Sequence, residues 1–190
     1  MSDLTLSGSS VLSLHIRITD DHSQSASALK KMGIKVWQPY LNEEKIETNY
    51  LGGYKIISMP VPHDGTPNRA FLIECDGEKL LYATDIEYLP YSMKKREIDT
   101  LLVECNYIDT IIDETEQKYN HVLQGHCELQ TTLGIVKTNK TQNLRTVILC
   151  HLSGDNSNRE LMLSEVEKIA GCKVAIAEKG LSLELGLPFE

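Results

Sequence analysis

A mixed α/β layered fold is predicted by three features of this 190-residue sequence. Short β-rich runs alternate with segments of helical periodicity. Two of these runs flank Asp76-Gly77, a pair favoured in type I′ turns, so at least one strand pair is antiparallel and a purely parallel doubly wound sheet is excluded. Three apolar phrases, PVPHDG, LLYATD and VILCHLS, each close on or near a side chain able to bind a metal: His63, Asp85 and His151. Strand ends that carry such groups deliver them into a shared cleft.

Taken in order, LTLSGSS (4–10) is a candidate start of a strand and turn, short and polar as it is. SLHIRIT (13–19) alternates as a strand does, with Leu14, Ile16 and Ile18 on one face. The next stretch reads as a loop and a helix, Ser23 as its N-cap and Gly33 as its stop. IKVW is expected as a short strand, and residues 41–55 as a polar surface loop reaching Leu51-Gly52-Gly53. YKIISMPV is a strand, PHDGTPN a loop, and AFLIECDGEKLLYATD the hairpin. Residues 86–97 read as loop and short helix, and IDTLLVECN as a buried strand with Glu104 and Asn106 at its tip. In GHCELQTTLGIVKTN, Leu129, Leu133 and Val136 recur at helical spacing beyond His126. TVILCHLS is an apolar strand. Ser157 and Glu160 form a capping box for LMLSEVEKIA, which Gly171 ends. KVAIA and LSLEL close the chain as strands.

The length suits one domain, 1–190. Hydrophobic residues at 41% and charged residues at 24% exclude a disordered or fibrous chain. No apolar run approaches the roughly 20 residues of a membrane span, and MSDLTLSGSS lacks the pattern of a secretory leader, so a cytoplasmic protein is expected. The five cysteines lie far apart without a CxxC pair, as buried reduced thiols do. A net charge of −8 argues against an extended nucleic-acid groove, which needs clustered Lys and Arg; Lys94-Lys95-Arg96 reads as a solvated helix face.

The phrases HDG, ATD, VECNY, GH and HLSGDNSN, in this order and separation, resemble the metallo-β-lactamase-fold hydrolases. The resemblance covers residues 13–185. It extends to the small bacterial and phage branch that includes the anti-Pycsar cyclic-nucleotide phosphodiesterases, with ribonuclease Z more distant. It implies a four-layer αββα sandwich with metals at one edge of the sheets. The family's lone His, bridging Asp and final His resemble His63, Asp85 and His151. Its T-H-x-H-x-D-H motif is degenerate here: Thr19-Asp20-Asp21-His22-Ser23-Gln24-Ser25 keeps His22, Asp20 stands for the first His, and Gln24 and Ser25 replace an Asp and a His. The resemblance therefore implies at most one tightly held Zn2+ or Mn2+ per chain, on His22, His63 and Asp85 with Asp20, while Asp85 and His151 remain of the second position. Few residues precede the motif. An N-terminally truncated version of the fold is expected, with an uncovered sheet edge that a homodimer would cover.

The resemblance also implies that Glu104 and His126 take part in catalysis, and that His126, Asn106 and Ser153 contact substrate. On the residues alone, Glu104 instead orients a ligand and His126 caps a helix. Tyr88, Tyr91 and Tyr107 suit either base stacking or half-buried packing. The implied activity is hydrolysis of a small phosphate ester, most closely a phosphodiester. The alternative is a protein of the same fold that has lost turnover and binds a ligand or partner.

Overall fold

The computed structural model describes residues 4–6, 12–14, 27, 30–33, 36, 37, 39, 45–112, 125–178 and 181. The chain is α/β with a mixed sheet, as its sequence predicts. Strands β1 (Leu4–Leu6) and β2 (Leu12–Leu14) pair antiparallel as a sheet of their own. The main sheet has seven strands in strictly sequential order: β3 (Glu47–Leu51), β4 (Tyr54–Val61), β5 (Asn68–Cys75), β6 (Glu78–Ala83), β7 (Thr100–Glu104), β8 (Thr146–Cys150) and β9 (Lys173–Ile176). Strands β3 to β6 form an antiparallel meander, whereas β6 to β9 are parallel.

Two hairpins set the register of the meander. Cys75 pairs with Glu78 across Asp76 and Gly77, which have φ of 49° and 86°. Positive φ at both central residues is what a type I′ turn demands, and its twist matches that of the strands. Leu51 pairs with Tyr54 across Gly52 and Gly53 (φ 55° and 91°) in the same way. The second hairpin corrects the expectation of a loop over 41–55. ETNYL is polar because β3 is an edge strand that buries no residue fully, and only pairing with β4 makes it a strand. Val36 and Trp37 of the expected IKVW strand are outside any strand; Trp37 packs as a half-buried side chain instead.

One face of the sheet carries Ile57, Met59, Leu72, Leu81, Leu101, Val103, Val147 and Leu149. Helices α1 (Leu129–Asn139) and α2 (Arg159–Ala170) complete this core with Leu133, Val136, Met162 and Val166. The alternate residues Ile56, Phe71, Ile73, Leu80 and Tyr82 form a smaller cluster on the other face. The helix ends follow local chemistry. Glu128, and not His126, caps α1, its carboxylate accepting from the Gln130 N–H. Asn158 caps α2 through Oδ1, which accepts from Leu161 N–H at 3.0 Å, whereas the Ser157 hydroxyl donates to the Ser153 carbonyl. The capping box expected at Ser157 and Glu160 is thus replaced by a single cap at Asn158, with Leu161 as the third helical residue. Gly171, at φ 65°, ends α2 as predicted.

Cys105, Cys127 and Cys150 are buried and Cys75 and Cys172 half-buried, all as free thiols. Burial pushes the Cys105 thiol up to about 12 and raises Cys127 and Cys150 well above the usual thiol range. The reactive species is the thiolate, about one part in ten thousand for Cys105 at pH 8. Iodoacetamide applied to the native protein is therefore expected to label Cys75 and Cys172 alone, as peptide mapping by mass spectrometry would read. Equal labelling of Cys105 would contradict this core.

Among the described residues no helix is long and apolar enough to cross a membrane.

Candidate metal and catalytic site

Strand direction assembles the site. Because β4 and β6 are each antiparallel to β5, β4 runs parallel to β6, β7 and β8, and their C-terminal ends share one edge of the sheet. His63 follows β4 by two residues, Asp85 follows β6 by two, Glu104 is the last residue of β7, and His151 follows β8 directly. Asp85 and His151 have φ of 52° and 56°. Non-glycine residues in this region carry backbone strain, which persists only where surrounding contacts enforce it. Those contacts are present. The Asn68 amide donates to the carbonyl of Thr84 at 3.1 Å and to that of Asp85, and the Asn106 amide donates to the His151 carbonyl at 2.6 Å.

His126 arrives from a different direction. Asn106 N–H donates to the Cys127 carbonyl at 2.8 Å, Leu129 N–H donates to the Tyr107 carbonyl at 3.0 Å, and Tyr107 and Glu128 form a parallel bridge. Residues 127–129 are thereby laid along the continuation of β7. This fixes His126 beside Glu104, a long-range pairing that no local pattern announces.

Glu104 is fully buried and is the hub. Its Oε2 accepts from Ile86 N–H at 2.6 Å. Its Oε1 accepts from His126 Nδ1–H at 2.7 Å and from His151 Nδ1–H at 2.8 Å. Burial alone would raise its pKa; the two imidazole donors outweigh burial and hold the carboxyl below its usual value. An ionised carboxylate only accepts, so both Nδ1 atoms carry protons, and in the neutral ring Nε2 is the nitrogen left with a lone pair. His151 Nδ1 is also 3.3 Å from Asp85 Oδ1. His63 is 1% exposed and donates Nδ1–H to the Gly125 carbonyl, which fixes its tautomer in the same sense. The His126 ring centroid lies 5.2 Å from that of His63 and 5.0 Å from that of His151.

One ligand atom from each of Asp85, His126 and His151 lies within 4.8 Å of the others. The geometry thus gathers His63, Asp85, Glu104, His126 and His151, five of the residues singled out in the sequence. Asn106 and Ser153 border the group. The Asn106 amide holds His151, Ser153 N–H donates to the Asn106 carbonyl at 2.8 Å, and Ser153 Oγ accepts from Asn156 N–H at 3.1 Å. Asp20, His22, Gln24 and Ser25 lie outside the described residues. The sequence pattern leaves His126 out of the ligand-bearing group; its GH phrase points to substrate, and only the pairing with β7 draws it to Asp85.

No protein-family model and no curated protein matches the chain. Solved structures do. The chain is similar to the metallo-β-lactamase fold protein YhfI from Bacillus subtilis, with a TM-score of 0.61 and 17% identity over 87% of this chain and 74% of that one. It is similar to a diphosphatase of the PhnP family (TM-score 0.51, 20% identity, 77% of this chain and 49% of that one). A third is unliganded yeast PDE1 (TM-score 0.50, 13% identity, 72% and 47%). The chain spans about half the length of the latter two. With Asp85, Glu104 and His151 at the C-terminal ends of parallel strands and these structures superposing on most of its length, the chain has the metallo-β-lactamase fold.

Proposed function

We propose that this protein is a metal-dependent hydrolase acting on a small phosphate ester, with a phosphodiester or diphosphate as the class of substrate. The observation that carries this reading is the convergence of Asp85, His126 and His151 within 4.8 Å, backed by the buried Glu104 carboxylate. A carboxylate and imidazoles suit zinc or manganese. The donors that would hold the ion are the Asp85 carboxylate and the imidazoles around it. A divalent ion so bound supplies Lewis-acid polarisation of a phosphoryl oxygen and a water nucleophilic at neutral pH.

The chain's own residues do the rest. Glu104 holds two rings by their Nδ1–H groups, and Asn106 holds the strained His151 backbone. The loop after β4 is tied to the loop after β6: Glu87 N–H donates to the Pro62 carbonyl at 3.0 Å, and Asp64 N–H to Glu87 Oε1 at 3.0 Å. This keeps His63 and Asp85 at a constant separation, which positioned catalysis requires. The PhnP-family neighbour is a diphosphatase, which supports a phosphate-containing substrate.

The test is hydrolysis of bis(4-nitrophenyl) phosphate, a cyclic nucleotide and a nucleoside diphosphate by protein loaded with zinc or manganese. Metal-dependent release of product from at least one of them is expected, abolished by chelation. Protein that holds an ion yet turns over none of the three would favour the binding-module alternative.

A further inference from the structure

We propose that His126 is a metal ligand in this chain, completing with Asp85 and His151 a three-donor site in place of the donors missing at Gln24 and Ser25. The proposal rests on the metal-dependent reading above and deepens it. The sequence pattern casts the histidine of the GH phrase as a substrate contact and leaves Asp85 and His151 as two donors, too few to hold an ion tightly. The geometry points elsewhere. His126 shares the Oε1 atom of Glu104 with His151, at 2.7 and 2.8 Å, so the two rings flank one carboxylate in the same protonation pattern.

Three features make the arrangement suitable for an ion. The donors are a carboxylate and two imidazoles, the ligand types of a catalytic zinc site with an open position. One nitrogen of each ring and one oxygen of Asp85 lie within 4.8 Å of one another. Each imidazole gives its Nδ1–H to a buried carboxylate, the outer contact that orients ligating histidines and raises their basicity. The backbone on the C-terminal side of His126 is pinned to the continuation of β7 by two hydrogen bonds, so the ring meets Asp85 and His151 without needing a mobile segment to close.

Cobalt(II) provides the test, because its absorption reports ligand type. Binding to the parent protein and to His126→Ala is measured by competition with a chromophoric chelator. His126→Cys is read for a thiolate-to-cobalt charge-transfer band in the near ultraviolet that the parent lacks. Expected are a loss of affinity of about a hundredfold or more in His126→Ala, beyond the roughly 10–100-fold that outer partners contribute, and the new band in His126→Cys. Circular dichroism of the chelated variants separates loss of a ligand from loss of fold. An affinity of folded His126→Ala within threefold of the parent, or cobalt bound to folded His126→Cys without the band, overturns the proposal and leaves the hydrolase reading intact. A parent protein that binds no cobalt overturns both.

Discussion

Asp85→Asn is expected to remove metal binding and hydrolysis together while leaving the metal-free protein as stable as the parent or more so. Asp85 is fully buried, its Oδ1 3.3 Å from His151 Nδ1, and it shares that ring with a second buried carboxylate, Glu104. Two like charges in one buried cluster cost free energy that an ion would offset and that the bare protein bears. The amide keeps the shape and removes the charge. The loss in ion affinity should exceed the roughly 10–100-fold that changes around a ligand produce. The chelated variant should melt at or above the parent's temperature, with a gain in stability of up to about 1 kcal/mol. Calorimetry with and without zinc reads both. A variant that melts well below the parent in chelator would mean that Asp85 is held for structure, and the metal reading would lose its central residue.

This opposition of stability and chemistry explains which parts of the molecule are legible in its sequence. The β5–β6 hairpin and the helices α1 and α2 are written locally, in Asp76-Gly77, in Leu129, Leu133 and Val136, and in the αL Gly171. Local propensity and tertiary context agree there. They disagree at β3, where Glu47–Leu51 is polar enough to pass for a loop and becomes a strand only because Tyr54–Val61 offers it an edge. They disagree also at Ser157, which resembles a cap but gives its hydroxyl to Ser153, leaving Asn158 to cap α2. The strand-end residues His63, Asp85 and His151 are legible because each terminates an apolar run, and the sheet brings those ends together. His126 is legible as a functional residue but not as a neighbour of Asp85. Its place depends on Asn106 and Tyr107 pairing with residues about 20 positions later, which no periodicity encodes.

Glu104→Gln separates the two terms from the opposite side, since it should lose stability and metal affinity at once. The carboxylate receives three N–H donors on two oxygens: Ile86 N–H on Oε2, and the Nδ1–H groups of His126 and His151 on Oε1. A glutamine offers one oxygen and an NH2. If the oxygen faces the imidazoles, the NH2 meets the Ile86 N–H; if it faces Ile86, the NH2 meets two Nδ1–H groups. Either way a buried donor loses its acceptor, at about 1–3 kcal/mol for each group left unmet, more where a charged partner is removed. For a chain of this length that corresponds to a fall in melting temperature of roughly 2–12 °C. The second orientation can be relieved if a ring moves its proton to Nε2, and that ring then presents N–H where a lone pair is needed for an ion. Ion affinity should therefore fall by about 10–100-fold. Nitrogen-15 NMR of the histidine rings would show the cause directly, with His126 and His151 both protonated at Nδ1 in the metal-free parent at neutral to mildly alkaline pH and at least one protonated at Nε2 in the variant. Glu104→Asp, which keeps the charge on a shorter arm, should recover part of the affinity. A Glu104→Gln protein with the parent's melting temperature and affinity would show that the doubly shared carboxylate neither positions these rings nor supports the fold.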